Sequence, residues 1–429
     1  MGPRAGDRMA DRAVTSKAED TGKASQFLRL QAISSLKNRG FFFLWLGTFL
    51  SFNGMQMLVI ARGWLVYGLT NSPLALGVVA ASMGGPIVLF SLFGGVLADR
   101  VQKRNLLMAA QSGLALINVL VAVLISAHLI ALWHLVVSSL LTGIIFAFSM
   151  PTRQAFVVEL VGPAELTNAI ALNSLATNIC RIASPALAGV LLRVIGTGGV
   201  FWLVALSYAA AMVTMFWIPA GSSIPKGRGL RLFKDILDGF RYLRENAVLL
   251  SLLSIAIVPI LVASSYQMLM PVFAKTIFQA GETGLGLLMS AGGLGALAGS
   301  TLIASFGNIR KRGVFMLGTG LLFGLSQISF GLSPSMTPAF VCLVFVGGSG
   351  SMFMTLITSL IMGHTPQELM GRVMSIFVMT FGLMPLAMLP AGALAKAFGA
   401  PVVVAMGGGL FAVFLFGMAL VQPRLRRLA

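Results

Sequence analysis

The sequence predicts an all-α protein that crosses a membrane twelve times, in two pseudo-symmetric halves of six helices each. Three observations predict this fold class. Hydrophobic residues make up 57% of the 429 positions and charged residues only 10%, whereas a soluble domain is roughly a quarter charged. Apolar runs of about 20 residues, the length that a helix needs to cross a bilayer, recur along the chain. The two halves of the chain also repeat the same short motifs.

The apolar runs are separated by short polar or Pro/Gly segments, which set the approximate bounds of each helix. We predict twelve membrane spans, at about residues 41–67, 73–98, 105–127, 130–150, 167–193, 198–218, 247–272, 283–305, 313–332, 337–362, 371–395 and 400–421.

The placement of lysine and arginine predicts the orientation in the membrane. The two tails and alternate connecting segments together hold 25 of the 30 basic residues, and such an excess marks the cytoplasmic side. Both termini are therefore expected in the cytoplasm. Because the basic residues lie in short segments and not in one patch, we do not expect nucleic-acid binding. Cys180 and Cys342 fall inside apolar spans, so we expect neither a disulfide nor a metal site.

Composition divides the chain into five segments. Residues 1–39 are polar with interleaved charges, and predict a disordered cytoplasmic tail without a cleavable signal peptide. The two six-helix halves cover 40–218 and 247–422. Between them, 219–246 places apolar residues at helical spacing, which predicts an amphipathic helix on the inner membrane surface. Residues 423–429 form a short cytoplasmic tail.

The repeated motifs indicate a transporter. The stretch "GVLADRVQKRNLLM" after the second span is similar to "ASFGNIRKRGVFM" after the eighth. Likewise, "GPAELTNAI" before the fifth span is similar to "TPQELMGRV" before the eleventh. Internal repetition of this kind is typical of transporters, whose substrate site lies near the membrane midplane between the repeats.

A carboxylate lies in the basic turn between the second and third spans. The turn contains Gly95, Asp99, Arg100 and Arg104. An unpaired acid at the end of an apolar run carries a desolvation cost, so Asp99 needs a compensating interaction. One interpretation is a basic loop that fixes topology, in which Asp99 pairs with its neighbours. The other is a gate, and it is favoured because the second-half copy has Gly307 in place of the acid.

Arg153 and Glu159 lie two turns apart, in the predicted loop between the fourth and fifth spans. One interpretation is an interfacial helix with surface charges. The other is a relay to the loop of Asp99, since the cytoplasmic ends of a helix bundle lie close together.

Arg181 falls near the middle of the predicted fifth span, where an arginine costs at least ~2.5–3.5 kcal/mol to insert. Such a residue usually faces a cavity or a partner. We expect it to attract an anionic substrate group or to control a coupling acid. Pairing with backbone carbonyls, Asn173 or Asn178 is the structural alternative.

Two further spans carry polar residues within apolar sequence. In the first span, Asn53, Gln56 and Arg62 follow helical spacing and predict a polar stripe facing the cavity. Packing between helices is the alternative. In the seventh span, Tyr266 and Gln267 lie between two prolines and predict the second-half wall of the same cavity.

Twelve spans in two halves, with a basic loop after the second and the eighth, resemble the major facilitator superfamily. Its loop pattern, Gly-x-x-x-Asp-Arg-x-Gly-Arg-Lys, is matched by the segment from Gly95 to Arg104, except that Gln102 replaces a glycine. The stretches "GWLVYGLTNSPLALG", "PTRQAFVVELVGPAELTNAIALNS", "GFRYLRENAVL" and "ELMGRVMS" are similar to the enterobactin-exporter-like efflux branch. This similarity covers about residues 40 to 400.

The resemblance implies export of a siderophore-like or amphipathic drug-like compound across the bacterial inner membrane. It implies rocking of the two halves, driven by proton antiport. Within this mechanism we expect Asp99 to hold the cytoplasmic side shut in the outward-open form, by meeting the positive N-terminus of the eleventh helix near Gly371 and Arg372. Pro185 lies in "SPALAG", which resembles the fifth-span signature of antiporters and implies a bent helix that limits proton leak.

One departure from the family leaves the proton carrier open. None of the twelve acidic residues lies at the middle of a predicted span, so Asp99, Glu159 and His134 are the candidates. A lipid or lysolipid flippase and a solute importer share this fold and stay as alternatives. A membrane enzyme is less favoured, because the sequence has no nucleophile motif and no nucleotide-binding Gly-rich loop. We expect no cofactor, and a monomer surrounded by membrane lipids.

Overall fold

Within the described part of the chain, every regular element is a helix. The structure is a computed structural model that describes residues 34–219, 241, 242, 244, 246–306 and 311–422. It covers the backbone alone at 91–100, 163, 164, 247, 367, 368, 371, 372, 375, 378 and 381. The predicted all-α class is confirmed. Residues 1–33 of the predicted N-terminal tail, the whole predicted C-terminal tail and most of the predicted linker helix lie outside the described residues. The last part of the predicted disordered tail is helical, with a 3-10 helix at Ser34–Lys37 before the first long helix begins at Arg39.

The helices follow one another with short connections. Ten helical stretches in the described residues are long and apolar enough to cross a membrane, and one further apolar helix is shorter. The protein is therefore a multi-pass membrane protein. The bounds are α1 (Arg39–Thr70), α2 (Pro73–Arg100), α3 (Lys103–Ser126), α4 (Leu132–Thr214), α5 (Ala247–Val258), α6 (Ser265–Val272), α7 (Gly281–Ser305), α8 (Arg312–Gly331), α9 (Met336–Gly363), α10 (Gln367–Phe381), α11 (Met384–Phe398) and α12 (Ala400–Val421).

Helix α4 joins three predicted spans without a loop. Its backbone leaves helical geometry at Gly162 (φ 70°, ψ 175°) and at Gly196 (φ 70°, ψ 176°). Positive φ values of this size favour glycine, which lacks a Cβ. The two glycines divide α4 into α4a (132–161), α4b (163–195) and α4c (197–214).

The predicted end of the fourth span, at residue 150, is wrong. Helical backbone continues past this point to Gly162. Pro151 suggests a break because proline removes a helical hydrogen bond. In membrane helices, however, neighbouring helices compensate for that loss and proline is tolerated. The longer helix places Arg153 inside α4a and not in a loop.

Two predicted spans are interrupted helices. The seventh consists of α5 and α6 with the π-helical segments Pro259–Ala263 and Phe273–Ile277. The eleventh is divided into α10 and α11 by a turn at Gly382 and Leu383. Because π-helical insertions occur frequently at functional sites, the seventh span is the more informative of the two.

The helices pack in two groups. In the first helix group, α1, α2 and α3 pack against α4. In the second helix group, which comprises α5–α12, α7 and α8 pack against α9, and α8 also packs against α12. The groups meet where α4 packs against α7 and where α2 packs against α11.

Glycines bring the two helix groups close together at one end of the bundle. A Cβ at Gly189 would lie 2.9 Å from the Cα of Gly286, and one at Gly77 would lie 2.7 Å from the carbonyl oxygen of Met388. These contacts lie toward the end where α1 stops, called here the Asn71 end. The opposite end, where α1 begins, is the Asn38 end. The helix groups are thus packed together on the Asn71 side of the bundle.

Candidate functional site

Arg181 in the first helix group lies within electrostatic range of Tyr266 in the second. Arg181 on α4b is exposed, and Tyr266 on α6 is partly buried. Gln267 is exposed, and its Nε2 donates a hydrogen bond to the Tyr266 hydroxyl at 3.2 Å. Since lipid-facing arginine is costly, an exposed Arg181 in a span is expected to face a water-filled cavity. Asn178 is partly buried one turn before it.

The backbone around Arg181 is held by α7. Pro185 has no N–H, so the carbonyl of Arg181 lacks its usual helical donor. Gly293 approaches that carbonyl closely, since a Cβ there would lie 2.8 Å from its oxygen. One residue further on, the hydroxyl of Ser290 donates to the carbonyl of Ile182 at 2.7 Å. Pro185 itself is buried in the contact with α7, so it shapes the site without lining the cavity.

Tyr266 and Gln267 follow the π-helical segment Pro259–Ala263. Two backbone carbonyls of this segment accept hydrogen bonds from side chains. The hydroxyl of Ser264 donates to the carbonyl of Pro259 at 3.1 Å. The amide nitrogen of Gln327 on α8 donates to the carbonyl of Ala263. These bonds stabilise an irregular backbone inside a membrane span, where unpaired carbonyls are costly.

The predicted polar stripe on the first span is not a uniform cavity surface. Arg62 is only 8% exposed, and its Nη1 donates to the hydroxyl of Ser139 on α4a at 2.9 Å. Packing between helices, the alternative to a cavity position, therefore describes Arg62. Asn53 and Gln56 are partly buried.

Arg153 and Glu159 point to different neighbours. The predicted loop position of Arg153 is wrong, because its guanidinium lies inside the first helix group, with Nη2 3.5 Å from the hydroxyl of Ser51. Glu159 accepts a hydrogen bond from Lys103 at 2.9 Å in a partly exposed ion pair. Lys103 belongs to the basic segment that follows Asp99. Glu159 therefore meets the geometric requirement of a relay to that segment, whereas Arg153 does not.

The predicted gate is described at the level of the backbone. Helix α2 extends to Arg100, so Asp99 lies in the last helical turn and not in a loop. Helix α10 begins at Gln367, one turn before Gly371 and Arg372. Since the free N–H groups and the positive dipole are confined to the first turn, a partner for Asp99 there would be sought at 367–370. Of the predicted gate residues, Gly95, Asp99, Arg100, Gly371 and Arg372 are described by their backbone alone.

Two residues from the predictions have local structural roles. His134 accepts a hydrogen bond at Nδ1 from the backbone N–H of Ala131 at 3.0 Å, and so caps the start of α4. Arg104 donates from Nη2 to the carbonyl of Phe216 at 3.4 Å, which ties α3 to the end of α4c.

A cluster at the Asn71 end connects the two helix groups and was missed by sequence reasoning. The hydroxyls of Tyr67 and Thr276 are 2.8 Å apart. Lys275 donates to the side-chain oxygen of Asn71 at 3.2 Å, and its Nζ lies 5.6 Å from the centre of the Tyr67 ring. No sequence pattern pairs residues about 200 positions apart, so only the fold reveals this contact.

Residues 30–428 match the family model described as "Transmembrane secretion effector". The chain belongs to this family of the major facilitator superfamily. The match covers nearly the whole chain and confirms the superfamily predicted from the sequence motifs.

The proteins to which this chain is similar in sequence are named as transporters. The chain is 28% identical over 346 residues to the enterobactin exporter EntS of Shigella boydii, covering 77% of this chain and 79% of that protein. It is 26% identical over 366 residues to the staphyloferrin A transporter of Staphylococcus aureus, covering 82% and 88%. The crystal structure of the nucleoside transporter NupG shares the fold, with a TM-score of 0.69, 13% identity and coverage of 89% and 98%. The predicted similarity to siderophore exporters is confirmed.

Proposed function

We propose that this protein exports a siderophore-like or amphipathic drug-like small molecule from the cytoplasm. The observation that carries the proposal is the exposed Arg181 beside Tyr266 and Gln267, between the two helix groups. A guanidinium binds carboxylates and phenolates by charge-assisted hydrogen bonds, and a neighbouring ring and amide supply stacking and orientation. The exporter among the relatives supports export over import or lipid flipping.

The proposal includes twelve spans in two pseudo-symmetric halves. The ten long stretches become eleven spans when Glu165–Trp217 is divided at the break at Gly196, and the shorter helix Met384–Phe398 is the twelfth. We place the chain in the bacterial inner membrane as a monomer with both termini in the cytoplasm. The packed Asn71 end is then the outer side, and the conformation faces inward. Transport would proceed by alternating access, with the site between the halves.

The proposed coupling ion is the proton. Asp99 and Glu159 are the proposed carriers, since His134 is engaged in capping α4. Glu159 contacts Lys103 next to the segment of Asp99, which allows one protonation event to act on both. We propose that Asp99 makes its gate contact with the first turn of α10, and not with Gly371 or Arg372, because the helix dipole is positive at that turn.

Transport into inside-out membrane vesicles tests this function. Vesicles containing the protein receive a radiolabelled catecholate or carboxylate siderophore and an imposed pH gradient, and accumulation is followed with time. We expect gradient-dependent accumulation that a protonophore abolishes. Arg181→Gln is expected to raise the half-saturating substrate concentration roughly tenfold or more, because a hydrogen bond to a charged group contributes about 1.5–3 kcal/mol.

Arg193→Gln is the matched control, since Arg193 is an exposed arginine near the Asn71 end of the same α4b. It should transport like the wild type. Asp99→Asn should abolish accumulation while the protein still inserts. Unchanged transport by Arg181→Gln would contradict the assigned site, near-normal transport by Asp99→Asn would contradict the gate, and accumulation without a gradient would contradict proton coupling.

A further inference from the structure

An apolar groove lies on the second helix group, between α8 and α12. Its lining consists of Val314, Leu317, Gly318 and Leu321 on α8 and Leu415, Phe416 and Ala419 on α12. The principal packing partners of α8 are α9 and α12, which belong to the same helix group. Val314, Leu321 and Phe416 are apolar and yet exposed. The groove therefore opens toward the bilayer and not toward the space between the two helix groups.

Glycines determine where the groove begins. A Cβ at Gly324 would lie 2.7 Å from the carbonyl oxygen of Gly408, so the two backbones touch at this level. One turn closer to the start of α8, a Cβ at Gly320 would instead meet a side-chain atom, Cδ1 of Leu415, at 2.6 Å. At Gly318 a Cβ would meet nothing within 4 Å. The antiparallel helices thus leave a space between their side chains toward the start of α8.

The groove lies toward the Asn38 end of the bundle. Helix α7 begins at the Asn71 end, where Gly286 approaches Gly189, so α7 ends and α8 begins at the Asn38 end. Helix α8 begins at Arg312 and α12 ends at Val421, each within one turn of the groove lining. The mouth of the groove is therefore formed by the start of α8 and the end of α12.

Basic residues lie next to this mouth. Lys311 is exposed, and Arg312 donates from Nη1 to the hydroxyl of Ser359 on α9 at 3.2 Å. In the sequence, the two segments 306–316 and 422–429, which adjoin these helix ends, hold six basic residues and neither Asp nor Glu. Such charges also fix membrane topology, but topology does not require an apolar groove beside them. Their combination with the groove favours a partner that has an apolar chain and an anionic group.

We propose that the groove binds an anionic phospholipid, with one acyl chain between α8 and α12 and the phosphate at Lys311. The lining residues of α8 extend over two turns, about 10 Å of helix, so the groove runs parallel to a lipid chain. Its volume of about 260 Å³ is below the roughly 300–1,000 Å³ of pockets for drug-sized ligands, which argues against the exported compound as occupant.

The basic mouth gives the proposed site its selectivity. Basic pockets between membrane helices bind anionic headgroups, whereas a zwitterionic headgroup brings its own positive charge to the same place. Ordinary contact with bulk lipid would not distinguish the two. Since the second helix group alone forms the groove, the site is separate from Arg181 and from the proposed transport.

Thermal unfolding of the purified, detergent-solubilised protein tests this proposal without any transport measurement. The apparent Tm is measured as phosphatidylglycerol, or phosphatidylcholine with the same acyl chains, is added to the micelles in increasing proportion. A compound that binds only the folded state raises Tm with its concentration. We expect phosphatidylglycerol to raise Tm by roughly 2–4 °C more than phosphatidylcholine, with saturation.

A variant that fills the groove locates the effect. Gly318 is exposed and has open space around its Cβ position, and leucine is a better helix former than glycine, so Gly318→Leu is expected to fold. The rise specific to phosphatidylglycerol should disappear in this variant. Gly68→Leu is the matched control, because Gly68 is an exposed glycine of α1 that also has nothing within 4 Å of its Cβ position. It should keep the full rise.

A second variant tests the headgroup contact. Lys311→Gln should raise the half-saturating proportion of phosphatidylglycerol roughly fivefold, the contribution of one basic residue near a membrane surface. Lys396→Gln changes an exposed lysine near the Asn71 end and should behave like the wild type. Equal rises with the two lipids would overturn the proposal, as would a specific rise that survives in Gly318→Leu or one that Gly68→Leu also removes. None of these results depends on whether the protein exports siderophores.

Discussion

Arginines inside the membrane-spanning part of this protein differ in their surroundings, and the surroundings separate their roles. Arg181 is exposed between the helix groups and acts on Tyr266. Arg62 is enclosed and donates to Ser139. Both residues carry the same insertion cost, so each needs a compensating partner. For Arg62 that partner is Ser139 in the packed interior, whereas for Arg181 the proposed partner is water or the exported compound.

Gln327 gives a prediction at the residue scale. Its amide donates to the carbonyl of Ala263, the last residue of the π-helical segment. Gln327→Leu should lower the free energy of unfolding by about 1 kcal/mol, because a buried hydrogen bond between two helices is lost. The loss of stability is expected to be small because the side-chain oxygen of Gln327 is buried without a described partner, and removing that unpaired oxygen is favourable. Thermal unfolding in detergent would measure the change.

The control for this prediction is on the same helix. Ser329 is exposed, and its hydroxyl bonds to the carbonyl of Leu325 within α8. Ser329→Ala should leave the Tm unchanged. If Gln327→Leu unfolded at the wild-type temperature, the side-chain bond would not be needed to hold the irregular backbone of the seventh span.

At the scale of elements, the sequence predicted where helices cross the membrane but not where they are irregular. Apolar length alone locates the spans, because a bilayer requires about 20 apolar residues. Helical continuation through Pro151 and the π-helical segments depend on neighbouring helices, and no local pattern encodes them. Arg181 and Tyr266 were predictable because polar groups stand out in an apolar run. Ser51, which Arg153 contacts, was not, because a single serine in such a run is ordinary.

Glycine packing between α7 and α9 gives a prediction at the element scale. A Cβ at Gly295 would collide with the carbonyl oxygen of Val344 and lie 2.9 Å from the backbone nitrogen of Gly348. Backbone atoms cannot move aside cheaply, so Gly295→Ala should destabilise the protein by about 1–3 kcal/mol. The measurement is Tm together with the amount of folded protein in the membrane.

Gly292 on the same helix is the matched control. A Cβ there meets nothing within 4 Å, and alanine is a better helix former than glycine by up to about 1 kcal/mol. Gly292→Ala should therefore be neutral or stabilising. Equal effects of the two substitutions would mean that helix propensity, and not the approach of α7 to α9, sets the response.

At the scale of the whole molecule, the two helix groups are joined at the Asn71 end by side chains from both. Tyr67 bonds to Thr276, and Lys275 bonds to Asn71. Hydrogen bonds of this kind contribute only about 0.5–1.5 kcal/mol each. Two groups held by a few such bonds and by glycine contacts can separate without unfolding, as the proposed mechanism requires.

Cross-linking across this contact tests whether separation is needed for transport. Tyr67→Cys and Thr276→Cys are combined in a chain whose Cys180 and Cys342 are replaced by serine, and a short bifunctional thiol reagent is added. If the Asn71 end must open in each cycle, the cross-linked double variant should lose transport, because the link holds the helix groups together at that end. Each single variant treated with the reagent should keep its activity, and cleavage of the link should restore transport in the double variant. Full transport by the cross-linked protein would mean that substrate leaves without separation at this end.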